Sequence, residues 1–232
     1  MKCLVKSLVV VLAVLAVPAY AAPYQVGNSF AHDLGGWSAI NGSGWEYVAA
    51  GGPGGAGYAL WTDKGSGRGT IVAPGSFLSG IHYDVYNNGA LSFDLKVFDF
   101  GTNIDKYQPI EVILFADGKP YSYTAATAAE VKSWNVKGQE MDWTTLYIPM
   151  TAEAWGVNPA TWSSILDNLS GLHIRMEVAV NMGTNPNGWD KVGIGGVLWT
   201  SIYEMPRSDA PEPATLAMLG TGALVLLRHR RR

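Results

Sequence analysis

The sequence predicts a mainly β, sandwich-type domain, and three observations carry that expectation. The chain is rich in glycine (28 residues) and in aromatics (11%), while only 15% of it is charged. Apolar and polar residues alternate strictly in Leu91-Ser92-Phe93-Asp94-Leu95-Lys96-Val97 and again in Leu172-His173-Ile174-Arg175-Met176-Glu177-Val178. Such a period of two fits strands with one buried face. One brief helix interrupts the strands, which argues against a repeated βαβ plan.

In chain order, the glycine-rich stretch Gly51 to Gly57 reads as a loop inside the domain. Further strands are expected at Ile110–Phe115, Thr145–Met150 and Val192–Trp199. Asp117-Gly118 is a hairpin signal between Leu114-Phe115 and Tyr121–Tyr123, since both residues tolerate positive φ. The helix begins at Asn158, a good N-cap, with Pro159 at the first helical position. Trp162, Ile165, Leu166 and Leu169 form its apolar stripe, and Gly171 is expected to end it. There is no internal repeat.

The two ends have a different character. Lys2 and Lys6 precede the apolar run Leu8–Val17, and Ala19-Tyr20-Ala21 is a small-x-small cleavage site. Residues 1–21 therefore read as a secretory signal peptide removed by signal peptidase after Ala21. At the other end, Pro211-Glu212-Pro213 precedes an apolar run, Ala214 to Leu227, and then Arg228-His229-Arg230-Arg231-Arg232. That run is about fourteen residues, short of the roughly 20 of a comfortable permanent span. The arginines would remain on the cytoplasmic side. This order closely resembles the PEP-CTERM sorting signal of Gram-negative bacteria that make exopolysaccharide. The resemblance implies an inner-membrane-held intermediate, processing by an exosortase, and delivery to the envelope surface or extracellular matrix. The expected organisation is a signal peptide at 1–21, a β-sandwich at 22–203, a linker with the Pro-Glu-Pro motif at 204–213, and a hydrophobic sorting helix with a basic tail at 214–232.

Processing changes the charge. The precursor carries −3, but loss of two leader lysines and four tail arginines leaves ten basic groups against nineteen acidic ones, about −9. A surface of that sign disfavours nucleic acid as a partner. The single cysteine, Cys3, leaves with the leader, so the mature domain rests on its core without a disulfide.

Within the domain, Phe30-Ala31-His32-Asp33-Leu34-Gly35-Gly36-Trp37 is followed by Tyr58-Ala59-Leu60-Trp61-Thr62-Asp63 and by Phe77-Leu78-Ser79-Gly80. Then come Gly89-Ala90-Leu91-Ser92-Phe93-Asp94-Leu95, Trp143 with Tyr147-Ile148-Pro149-Met150, and Trp155. The capped helix leads into Leu172–Glu177, and Gly188-Trp189-Asp190-Lys191-Val192 closes the series. From Phe30 to Trp199 this order resembles the laminin IV type A (laminin B) domain, with Trp189 and Lys191 departing from the family's more usual residues. The resemblance implies a jelly-roll β-sandwich of the galactose-binding-like kind.

Signals for catalysis are poor. The sequence has no Gly-x-Ser-x-Gly elbow and no His-Glu-x-x-His helix, and the mature chain has no cysteine nucleophile. No catalytic residue is assigned, and the chain is expected not to be an enzyme. Jelly rolls of the galactose-binding type often hold a structural calcium through oxygen ligands, and Asp63, Asp190 and Asp33 are the candidates here. Each is equally a turn aspartate that bonds nearby amides. All nine tryptophans fall in the domain. Of these, Trp45, Trp134 and Trp189 sit in polar or glycine-rich surroundings and are the candidate platforms for sugar rings.

The function expected from sequence is a non-catalytic, exported component of the envelope or matrix, structural or adhesive, with extracellular polysaccharide or matrix proteins as partners. The alternative is a carbohydrate-binding module using exposed tryptophan. A glycan-active enzyme is disfavoured.

Overall fold

The computed structural model describes residues 24–41, 44–63, 68–101, 104–136, 140–181 and 190–201. The chain divides into two units, Met1–Ile202 and Tyr203–Arg232, and the described residues all belong to the first. Ala19, Ala21, Pro211, Glu212, Pro213 and the hydrophobic tail lie outside the described residues, as does Trp189.

The first unit is a jelly-roll β-sandwich of two antiparallel sheets. One sheet runs β10 (Thr144–Met150), β6 (Gly89–Phe100), β13 (Asp190–Thr200), β4 (Tyr58–Thr62) and β3 (Gly44–Val48). Its sixth strand, β1 (Gln25–Asn28), also pairs with β13. The other sheet runs β2 (Ser38–Ile40), β5 (Thr70–Val72), β11 (Leu169–Arg175), β8 (Ile110–Ala116) and β9 (Lys119–Ala126). A small ladder joins β7 (Ile104–Tyr107) to β12 (Ala179–Asn181).

Alternation places the core. Leu91, Phe93, Leu95 and Val97 of β6 are buried, while Ser92, Asp94, Lys96 and Phe98 between them face outward and are half-buried. Trp61 of β4 and Trp199 of β13 are fully buried among the largest core side chains. Burying each such ring contributes on the order of 2–3 kcal/mol, which helps a domain without disulfides to stand. From the second sheet Val112, Leu114, Leu172 and Ile174 meet this layer.

Every strand expected from sequence is present, with shifted ends. Asp117 (φ 52°) and Gly118 (φ 73°) make the expected tight hairpin between β8 and β9, both in the left-handed region that a type I′ turn requires.

Among the described residues the expected helix is accompanied by three further α-helices. These are α1 (Gly75–Leu78), α2 (Tyr83–Tyr86) and α3 (Ala128–Trp134), ahead of α4 (Pro159–Asp167). The first two span one turn each, too short to show a helical period. The third is fixed by a capping box between Thr127 and Glu130 and fully buries only Val131.

In α4 the Asn158 side chain accepts from the Thr161 amide (2.8 Å), and Trp162, Ile165 and Leu166 are buried as the stripe requires. The helix stops earlier than its sequence pattern suggests. Asn168 is its C-cap, and both Leu169 and Gly171 already belong to β11. Gly171 lies in a strand because a β-carbon there would press on the Phe115 ring at 3.2 Å. Its role is a close side-chain approach, not a helix stop.

The centre of the first sheet positions everything that follows. β6 covers one edge of β13. On the other edge β4 pairs with Lys191–Ile194, and β1 pairs with Val197–Thr200. Between them the register with β6 shifts from Ile194 to Gly196, leaving Gly195 as a bulge. A β-carbon on Gly195 would lie 2.3 Å from the Pro53 ring and 3.2 Å from Asp94 Cβ, whereas one on Gly196 would meet nothing nearer than 3.5 Å. Gly195→Ala is therefore expected to cost about 1–3 kcal/mol by overpacking. Gly196→Ala should stay within about 0.5 kcal/mol of the natural protein. Urea denaturation of the two variants checks this, and equal losses would show that the Pro53 contact does not constrain the bulge.

Candidate functional site

The bulge opens a groove of about 620 Å³ on the outer face of the six-stranded sheet. Its floor is backbone at Gly195 and Gly196. One wall is Ser92 and Asp94 of β6 with Thr145 of β10, and the other is Gln25, Gly27, Asn28 and Ser29 from β1 and its exit. Pro53 and Ala56 of the glycine-rich loop close over it, and Leu198 borders it.

Local sequence explains each wall. Thr145 and Asp94 are cross-strand partners, and the Thr145 hydroxyl donates to Asp94 Oδ1 at 2.6 Å. Tyr147, opposite Ser92 on the same face, is 47% exposed; Leu198, opposite Ser92 on the other side, is 37% exposed. A ring and an aliphatic side chain thus flank a row of hydroxyl, amide and carboxylate groups. Asn28 is fixed by accepting the Phe30 amide at 2.8 Å.

Further along the same face Tyr58, Phe98 and Trp143 form a cluster with centroids 5.3–6.1 Å apart. They close over Gly193, where a β-carbon would lie 2.8 Å from both Phe98 and Trp143. The Trp143 indole donates to the Gly51 carbonyl (3.0 Å), tying the glycine-rich loop across the sheet. Gly51 (φ 96°), Gly54 (62°) and Gly55 (82°) allow that loop its path.

Of the tryptophans chosen from sequence, Trp45 and Trp134 do not line this groove, and Trp189 lies outside the described residues. Trp45 is half-buried. It pairs with Trp61 across β3 and β4, meets Phe30 edge-on, and donates its indole N–H to the Trp37 carbonyl at 3.0 Å. Trp134 ends α3, half-buried against the core.

Two of the three aspartates chosen for calcium do come together. The Asp63 amide donates to the Asp190 carbonyl (3.0 Å), so Asp63 extends the β4–β13 ladder by one residue. Asp190 is fully buried; its Oδ2 accepts the Val178 amide at 2.9 Å, and its Oδ1 has no hydrogen-bond partner among the described residues. Asp33 does not share this role. It is exposed and accepts the Gly35 amide (2.6 Å) in a local turn. Sequence reasoning overlooked Glu177, which is 9% exposed and joins Asp63 and Asp190 as a third acid where the strand ends meet.

Burial pushes the Asp190 carboxyl up to about 7, and the charges of Asp63 and Glu177 push the same way against the opposing Val178 amide. Burial, helped by Asp63, raises Glu177 to about 6, although Arg68, the Gly69 amide and Lys106 pull it down. Oxygen donors and an orphaned buried atom are the chemistry that calcium takes. However, among the described residues no three His, Cys, Asp or Glu side chains stand close enough to enclose a metal ion. The raised Asp190 and Glu177 carboxyls make this seam sensitive to pH.

With this geometry in view, comparison with known proteins gives two findings. Residues 209–232 match the PEP-CTERM protein-sorting motif, which marks the chain as an exported protein handled at the membrane by an exosortase. The sandwich is similar to several solved carbohydrate-binding modules. One is a xylan-binding domain of family 22, 11% identical, covering 80% of this chain and 100% of that one at a TM-score of 0.44. Another is the family 22 and xylanase modules of Clostridium thermocellum xylanase 10B with xylohexaose, 13% identical at 0.45. There the match covers 77% of this chain and 29% of that one. A family 29 module is 12% identical at 0.43, with 83% and 99% covered. All three TM-scores are below 0.5, so the likeness carries no ligand or site across. No curated protein matches the chain by sequence. Among the described residues no helix is long and apolar enough to cross a membrane.

The seam fixes a pH dependence. Asp190 ordinarily titrates near 3.8 and here near 7, so the folded state binds more protons than the unfolded one between those values. Stability is then fully present below about pH 4 and is lost as pH rises through about 7, by roughly 2–4 kcal/mol. Thermal melts from pH 5 to 8 should fall, and Asp190→Asn should flatten the slope and raise the melting temperature at pH 8. An unchanged slope in Asp190→Asn would remove Asp190 as its source. A rise at pH 8 on adding calcium, reversed by chelator, would make the seam a metal site.

Proposed function

We propose that this is an exported, non-catalytic carbohydrate-binding module that takes a glycan chain in the groove on the outer face of the six-stranded sheet. The observation that carries the reading is the groove's composition. A concave site of a few hundred Å³ with a few polar groups and an apolar rim is the usual form of a small-ligand site. Here hydroxyl, amide and carboxylate groups suit sugar hydroxyls, and Leu198 at the groove with Tyr147 beside it, across from Ser92, offers apolar faces to sugar C–H surfaces. The proposed platform is a tyrosine and a leucine, and neither Trp45 nor Trp134 contributes to it.

Delivery by the sorting motif places this binding outside the cytoplasm. Extracellular polysaccharide is the proposed partner and matrix adhesion the proposed outcome. The laminin-like motifs support a shared sandwich plan and add no partner of their own. A calcium ion at Asp63 and Asp190 belongs to the same proposal as a structural aid, decided by the calcium arm of the pH melts.

Two measurements test the reading. Calorimetric titration of the mature secreted protein with exopolysaccharide should give saturable heat. Gly196→Val, which fills the groove floor, should abolish that heat, and Tyr147→Ala should weaken binding about tenfold, or roughly 1.4 kcal/mol. Full binding by both variants, with native melting curves, would place the ligand elsewhere. Processing is checked by intact-mass analysis of the surface protein. Both the leader and the residues after the Pro-Glu-Pro motif are expected to be gone, and a mass that includes Arg232 would rule out tail removal.

A further inference from the structure

The charges around the groove go further than its shape. Asp94 is the only ionisable residue that lines it; its remaining lining residues are amide, hydroxyl, glycine or apolar. Asp94 takes part in no ion pair among the described residues, and its one bond is the 2.6 Å hydrogen bond from neutral Thr145. The nearest cation in sequence is Lys96, two residues along β6 on the same face. Its Nζ is 3.2 Å from Glu140 and 4.9 Å from the centre of the Phe98 ring, so it is committed elsewhere. The groove therefore holds one uncompensated carboxylate, oriented by Thr145, within a mature chain of about −9.

Resting on the glycan-binding reading, we infer that this groove prefers a polysaccharide bearing free amino groups, that is, a partly or fully deacetylated amino-sugar polymer. An ammonium on the sugar would supply the charge that Asp94 lacks and would make a charge-assisted hydrogen bond, about twice as strong as a neutral one. A uronate-rich chain would bring like charge to Asp94 and to the acidic surface around it. A neutral chain would bind through the hydroxyls and the apolar rim alone. Thr145 acts as a positioning residue: it fixes one carboxylate oxygen and so aims the other.

The test is titration of the full mature protein with four β-linked oligosaccharides of matched length at mildly acidic pH: oligoglucosamine, its fully N-acetylated form, cello-oligosaccharide and oligomannuronate. The expected result is about tenfold tighter binding of oligoglucosamine than of its acetylated form, the difference between a charge-assisted and a neutral hydrogen bond. That advantage should shrink as salt is raised and disappear in Asp94→Asn, which keeps an acceptor for Thr145. Thr145→Val should reduce it while leaving salt dependence. If aminated, acetylated and neutral chains bind alike and Asp94→Asn leaves their ratio unchanged, the preference is overturned while glycan binding in the groove stands. If none binds and Gly196→Val changes nothing, the glycan-binding reading falls, and this inference falls with it.

Discussion

The structure depends on β13 meeting opposite demands on its two faces. Its inner face must fill the sandwich, and Val192, Ile194, Val197 and Trp199 are all buried there. On its outer face, glycines admit groups that approach closely: the Phe98–Trp143 cluster over Gly193 and the Pro53 ring over Gly195. A strand with side chains on both faces at these positions would collide with its own sheet. The missing β-carbons at Gly195 and Gly196 also make the floor of the groove. Core formation and site formation are thus two consequences of one strand's alternation, broken at a single bulge.

The same strand explains the chemistry at its start. Asp190 begins β13 where β4 ends and where Val178 follows β11, so three chain segments exclude water there. The ladder bond from Asp63 holds two acids together, and the Val178 amide satisfies only one oxygen of Asp190. Such crowding costs free energy when all the groups are charged. A proton on Asp190 relieves it, which links the integrity of the central strand to pH without touching the groove.

How much of this could be read in the sequence depends on the range of the interaction concerned. Period-two alternation in Leu91–Val97, the Asp117-Gly118 turn and the Asn158-Pro159 cap are local, and each gave the right element. Gly171 misled because a glycine after an apolar stripe looks the same whether it ends a helix or clears space for Phe115. The groove was not legible at all. It requires β1 and β4, from the start of the domain, to share one edge of the last strand and leave a gap between them. Ser92 and Asp94 could be placed on the polar face of β6, but nothing in the sequence says what lies opposite. Asp63 and Asp190, named from sequence as calcium candidates, meet at the start of β13. Glu177 continued an alternating strand pattern and looked like an ordinary surface residue. Trp45 was a candidate platform because its neighbours are polar and glycine-rich, and its half-buried place opposite Trp61 is the other reading its sequence allowed.

The surface helps to choose between a glycan and a protein as the binding partner. Exposed apolar patches larger than several hundred Å² mark protein or membrane contact sites. Among the described residues the exposed large hydrophobics are Tyr24, Ile40, Val136, Tyr147 and Leu198. Ile40 is on the second sheet, Tyr24 precedes β1, and Val136 follows α3, so these three are dispersed around the fold. Only Tyr147 and Leu198 share one place, on either side of Ser92 at the groove. Two apolar side chains framing hydroxyls, an amide row and one carboxylate match the scale of the sugar chain proposed above. Leu198 borders the groove that the β13 bulge opens, and Tyr147 stands beside it across Ser92.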